Sequence, residues 1–183
     1  MAISRVDSAP TTEGGRVHTV AAGTLMARIL HVRTNAQLEQ TRALLTEYFH
    51  SPHCSICFRD FEAEVGTLPG EYAPPMGRLL LATYRRQPAG LVGVSKVDGE
   101  DGVCKMKRLY VRPQFRGRGI GRSLAIAAIA TGRRLGYAHM RLWTFPFMKE
   151  AIRLYQTLGF DLVEVRKGRK GGGLLCMQLA LRK

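Results

Sequence analysis

The sequence has no apolar run approaching the roughly 20 residues that a membrane-crossing helix needs, and residues 1–24 lack the continuous apolar segment of a secretory signal. Cysteine is scarce. Cys54, Cys57, Cys104 and Cys176 are too few for a disulfide scaffold in 183 residues, so reduced thiols in a soluble, cytoplasmic protein are the expected state. Acidic residues are also short: 14 Asp+Glu stand against 28 Lys+Arg, a formal net charge of +14. That balance favours polyanions, phosphorylated ligands and acidic surfaces as partners. The basic residues are scattered from Arg28 to Lys183 rather than gathered into a stripe, so nucleic acid is a possible partner but not the favoured one. There is no internal repeat.

Hydrophobic residues make up 45% of the chain, enough for one sizeable core and too little chain for two enzyme domains. Residues 1–26, with stretches such as SAPTTEGG, read as a disordered or loosely attached tail, and the folded domain is expected over 27–183. Ile29–Val32 read as a strand. Thr34 or Asn35 then caps a helix through NAQLEQTRALLTEYF, and a second helix is expected in CFRDFEAEVGTL before the loop LPGEYAPP. RLLLATYRR and PAGLVGVSKV form an antiparallel pair, and DGED turns into a third strand, VCKMKRLYV. Helix IGRSLAIAAIATGRRLG stops at Gly136, strand HMRLWTF follows, and helix MKEAIRLYQTL stops at Gly159. FDLVEVR and LLCMQLALR are two strands around the basic turn KGRKGGG. This order predicts a single α/β domain with a mixed central sheet flanked by helices.

The stretch RPQFRGRGIGRS lies at a strand-to-helix junction. A helix N-terminus exposes unpaired N–H groups and a partial positive charge, and Gly117, Gly119 and Gly121 clear the approach to it. Arg116, Arg118 and Arg122 add guanidinium groups suited to phosphate oxygens. The spacing fits neither a P-loop, which needs Lys before Ser123, nor a Rossmann fingerprint, which needs glycine where Arg122 stands. Taken alone, the glycines and arginines fit a solvated turn as well as an anion site.

The longer context KRLYVRPQFRGRGIGRSL, followed later by AIRLYQTLGF, resembles the GNAT superfamily of N-acetyltransferases. LPGEYAPPMGRLLLA is similar to a bacterial branch of that superfamily. The resemblance implies a splayed sheet, with acetyl-CoA as co-substrate in the split between VCKMKRLYV and HMRLWTF. Backbone groups of Leu109, Tyr110 and Val111 would run beside the pantetheine. The stretch Arg116, Gly117, Arg118, Gly119, Ile120, Gly121, with Arg122 and Ser123, would hold the pyrophosphate. It also implies acetyl transfer to the amine of a small molecule or protein, and a possible homodimer. The competing reading is a module of the same fold that binds acyl-CoA or nucleic acid without catalysis.

Tyr155 matches the superfamily's tyrosine near the thiol sulfur, as hydrogen-bond or proton donor to the leaving thiolate, although it also fits as a packed helix-face residue. Where related sequences often carry a glutamate base, this chain has Lys105; Glu71, Glu64 and His139 are the alternatives, and Glu71 is carried forward with Tyr155 as a catalytic candidate. Met148 stands where many relatives place Asn, so a polar contact to the cofactor arm is expected to be missing. Trp143 fits the acceptor pocket and the core equally. His53 to Cys57, HCSIC, offers metal-ligand residue types, but adjacent His53 and Cys54 do not readily share one tetrahedral ion, and no metal is expected.

Overall fold

A computed structural model describes residues 27–51, 61–167 and 173–182. The expected tail over 1–26, the HCSIC segment, the start of the second helix and most of the KGRKGGG turn lie outside the described residues. The elements run β1 (Arg28–His31), α1 (Asn35–Phe49), α2 (Phe61–Gly66), β2 (Arg78–Tyr84), β3 (Gln87–Lys96), β4 (Val103–Val111), α3 (Ile120–Arg134), β5 (His139–Thr144), α4 (Lys149–Thr157), β6 (Asp161–Lys167) and β7 (Gly173–Ala180). They form an α/β domain with one seven-stranded mixed sheet in the order β1-β2-β3-β4-β5-β7-β6. All neighbours are antiparallel except β4 and β5, which are parallel.

Sequence pattern explains the layers. In β2 and β3, Leu79 to Ala82 and Ala89 to Val94 are almost unbroken apolar runs, because helices cover both faces there. α3 and α4 pack on one face through Leu124, Ala128 and Tyr155 against Leu80, Val92, Met106, Met140 and Leu142. α1 covers the other face through Leu44 and Leu45 against Leu79, Leu81, Leu91 and Tyr110. β5 alternates strictly instead: Met140, Leu142 and Thr144 are buried while His139, Arg141 and Trp143 stand half-buried on the opposite face.

Local signals hold at the helix ends. Thr34 caps α1 in a full capping box with Gln37. Gly136 and Gly159, at φ 85° and 88°, follow the ends of α3 and α4 as left-handed stops. β1 lies one residue earlier than expected because its pairing with β2 starts at Arg28↔Thr83 and ends at His31↔Leu80.

His31 gives the fold a pH dependence. Its Nε2 lies 3.4 Å from an Arg134 guanidinium nitrogen, and its Nδ1 is buried with no hydrogen-bond partner among the described residues. Burial, then the charges of Arg134, Arg33 and Arg78, lower its pKa from 6.5 to about 4. The unfolded chain therefore takes up a proton at His31 below about pH 6.5 that the folded chain refuses until about pH 4, so stability falls as pH drops through that window. Thermal melts of His31→Phe at pH 7.5 and pH 5 should show a smaller loss of Tm on acidification than the parent chain. An equal loss would remove His31 from the account.

Candidate active site

β4 and β5 pair only at Val103↔His139, Cys104↔Met140 and Lys105↔Arg141. Beyond those pairs β4 runs on to Val111 beside β3, and β5 runs on to Thr144 beside β7, so the sheet opens into a split. Among the described residues, β4 from Met106 to Val111 makes no ladder pair with β5. Leu109, Tyr110 and Val111 lie along that segment. A strand edge beyond its ladder can present N–H and C=O groups to an extended ligand.

A β-bulge shapes this edge. Leu91 pairs with Tyr110 but Gly93 pairs with Lys107, so Arg108 and Leu109 together oppose Val92 in a β-bulge, and Arg108 takes a φ of 58°. Its guanidinium reaches Glu64 of α2 through Nε at 2.9 Å and Nη2 at 2.5 Å, and the Tyr72 hydroxyl donates to the same carboxylate at 2.5 Å. Burial alone would raise the Glu64 carboxyl, but the hydrogen bonds from Arg108 and Tyr72 bring it below its usual value. The Tyr72 ring lies flat enough on β3 that a Cβ at Gly93 would come within 2.4 Å of it, so only glycine fits there. α2 and the 3₁₀ turn Gly70–Tyr72 are thereby fastened to the bulge.

At the open end of β4 the chain passes through a 3₁₀ turn, Pro113–Phe115, whose Phe115 is buried beside Tyr84. Gly117 and Gly119 follow at φ 71° and 73°, where a Cβ would meet nothing within 4 Å but the backbone itself favours glycine. Gly119 is the N-cap of α3 and supplies no side-chain cap. The first helical bond runs from the Ser123 N–H to the Gly119 carbonyl at 3.0 Å, so the N–H groups of Ile120, Gly121 and Arg122 have no intrahelical acceptor. Buried Ile120 pins the helix start. Around it, Arg116 Nε donates to the Val111 carbonyl, Arg118 lies over the Tyr84 ring at 5.3 Å, and Arg122 Nη1 donates to Thr157 Oγ1 of α4 at 2.9 Å. The Ser123 hydroxyl donates to the Gly119 carbonyl at 3.1 Å. An uncapped, glycine-cleared, cationic helix start fits a pyrophosphate.

Tyr155 projects from α4 and is 8% exposed, with its ring 5.9 Å from that of Phe160. Its hydroxyl makes no hydrogen bond among the described residues. Burial raises its pKa, so the phenol stays protonated well into alkaline solution. Met148, at the N-cap of α4, makes no capping bond; its sulfur accepts from the Thr144 hydroxyl at 3.6 Å.

On the face away from α3, Glu71 receives Lys105 at 2.9 Å, Lys107 at 2.5 Å and the Ser95 hydroxyl at 2.8 Å. Burial would raise the Glu71 carboxyl, but the two lysines and Ser95 outweigh it and lower its pKa to about 2. Lys105, which stands where related sequences often carry a glutamate base, is an ion-paired residue. His139 lies at the closed end of the split, paired with Val103. Trp143 lines a cavity of about 530 Å³ with Val97, Glu100, Arg141, Val163 and Cys176 among its other walls. Among the described residues no group of three or more His, Cys, Asp or Glu is arranged to hold a metal, and no helix is long and apolar enough to cross a membrane.

Residues 38–160 match the Acetyltransferase (GNAT) family. An uncharacterized N-acetyltransferase of Schizosaccharomyces pombe is 34% identical over 134 residues, 73% of this chain and 82% of that protein. A second, from Escherichia coli, is 32% identical over 101 residues, 55% of this chain and 60% of its own. Among solved structures, the Salmonella typhimurium protein yncA, solved with its cofactor acetyl-CoA, superposes with a TM-score of 0.70 at 21% identity, covering 86% of this chain and 95% of its own. The ribosomal-protein-S18-alanine N-acetyltransferase of Escherichia coli gives 0.68 at 18% identity, covering 86% of this chain and 96% of its own. At these identities the two structures speak to the fold. The family match across more than half the sequence and the fungal relative go further: this chain belongs to the GNAT acetyltransferase family.

Proposed function

We propose that this protein is an acetyl-CoA-dependent N-acetyltransferase acting on an amine acceptor. The observation that carries the reading is the split between β4 and β5, closed at Lys105↔Arg141 and open toward the uncapped start of α3. Bound there, acetyl-CoA would supply an activated acetyl thioester.

The chain's own groups divide the work. N–H groups of Ile120, Gly121 and Arg122, with Arg116 to Gly119 around them and Ser123 behind, hold the pyrophosphate. The β4 segment Leu109, Tyr110 and Val111 lies alongside the pantetheine. The bulge at Arg108 presents a backbone N–H at Leu109 or Tyr110 to polarise the acetyl carbonyl. Tyr155, kept protonated by burial, donates a hydrogen bond to the leaving sulfur. Full proton transfer from a phenol of pKa about 10 to a thiolate of conjugate pKa about 8.5 is already uphill by roughly 2 kcal/mol in water, and burial widens the gap. The tyrosine thus stabilises the thiolate, and solvent supplies the proton.

Glu71 stays in the proposal in a narrower role. A carboxyl with a pKa of about 2 is too weak a base to strip an ammonium directly, so Glu71 anchors Lys105 and Lys107 and the amine proton leaves through water. Calorimetric titration with acetyl-CoA should give saturable 1:1 binding. A thiol-release assay across an amine panel should then show acceptor-dependent turnover. Absence of acetyl-CoA binding by monodisperse protein would sink the proposal, and binding without release from any amine would reduce the protein to an acyl-CoA-binding module.

A further inference from the structure

Lys105 and Arg141 are the last paired residues before the split opens, and paired residues in a sheet project to the same face. That face is opposite α3, because the intervening Cys104, Met106, Met140 and Leu142 belong to the α3 core. Lys107 and Trp143 are the next residues on that face, one on each strand. Together these four side chains stand where the two strands begin to separate.

Their charges do not balance. Arg141 is matched by Glu100 at 2.6 Å, Arg166 by Glu164 at 2.7 Å, and Arg108 by Glu64. Lys105 and Lys107 share the single carboxylate of Glu71, whose remaining hydrogen bond comes from neutral Ser95. With side-chain exposures of 18% and 25%, the two lysines are only partly hydrated, so one unit of positive charge is held there without a counterion among the described residues. Arg141, the register partner of Lys105, forms a wall of the 530 Å³ cavity, where its Nε is fixed by Gln178 at 2.7 Å. The walls offer Val97, Val163 and the indole of Trp143 to an apolar body.

We propose that the acceptor is a small amine that also bears an acidic group, its anion held at Lys105 and Lys107 and its body against Trp143. This rests on the proposed acetyl transfer and names the class of acceptor for it. The same surplus charge disfavours polyamines, whose additional ammonium groups would meet the two lysines.

Trp143 is the only tryptophan in the chain, so its emission reports occupation of this cavity without requiring turnover. Titrations with two matched pairs, phenylalanine against phenethylamine and phosphoethanolamine against ethanolamine, should show the acid-bearing member binding at least about tenfold more tightly, the scale of a charge-assisted hydrogen bond. Preference within the first pair assigns a carboxylate and within the second a phosphate. Lys105→Gln and Lys107→Gln should each erode the preference about tenfold while acetyl-CoA affinity by calorimetry stays at the parent value, which also certifies the fold; Lys107→Arg should retain it. Spermidine or the acid-free amines binding as well as their partners, or the preference surviving both Gln variants, overturns the proposal. Loss of acetyl-CoA binding in the parent chain would instead overturn the transferase reading, because the fluorescence titration is made without cofactor.

Discussion

Gly121→Asp should lower acetyl-CoA affinity by on the order of 10² to 10³-fold while leaving the fold intact. Gly121 is the second residue of α3, and a Cβ there meets only Val111 Cγ2, at an ordinary 3.7 Å. The free protein therefore has room for the new side chain, and a carboxylate in the first turn suits the helix dipole by a few tenths of a kcal/mol. The ligand does not have that room. A carboxylate would accept from the N–H groups meant for the pyrophosphate and stand about 4 Å from its oxygens, where like charges repel by about 4 kcal/mol at an effective dielectric of 20. Calorimetry and a thermal melt on the same sample decide it: an unchanged Tm with binding lost is the expected pair. Undiminished affinity would move the anion site away from the start of α3.

Tyr155→Phe should cut kcat by about 10²-fold, the lower end of what a positioned acid or hydrogen-bond donor contributes. The ring's contact with Phe160 survives the substitution, so acetyl-CoA affinity should move no more than a few-fold and Tm should hold. The pH profile carries a second signature. Because burial disfavours the phenolate, the hydroxyl keeps its proton above the usual value near 10, and no alkaline fall in kcat below that pH should trace to Tyr155. A variant that turns over at the parent rate would remove Tyr155 from the chemistry and leave it as packing.

The proposed donor half of the site is legible in the sequence because it is local. Gly117 to Ser123 are contiguous, the strand and helix on either side carry ordinary signals, and the glycine stops at Gly136 and Gly159 fall where the helices end. The order of strands around the split follows from the same resemblance that named the loop. What remained hidden depends on residues far apart in the chain. Arg108 sits at positive φ with no glycine to mark the bulge, and its grip on Glu64 spans 44 positions. The pairing of Lys105 is hidden because its partner, Glu71, lies far back in the chain on a 3₁₀ turn, and the same ion pair explains why a carboxylate that looked available for proton abstraction is so firmly ionised. Periodicity places Trp143 on a strand; only the distant residues Val97, Val163 and Cys176, brought beside it by the fold, make it a cavity wall.

The three pairs that join β4 to β5 have a consequence for the sheet as a mechanical object. Ladder bonding knits β1 to β4 into one leaf and β5 to β7 into another, and below Lys105 and Arg141 the leaves share no rungs among the described residues. In the proposed complex the pantetheine amides supply the absent rungs, which makes the donor a temporary strand of the protein. Each turnover would then begin by zipping this seam shut and end by opening it, so the departure of spent CoA would be a small unfolding step whose rate would set a ceiling on how fast acceptors can be served.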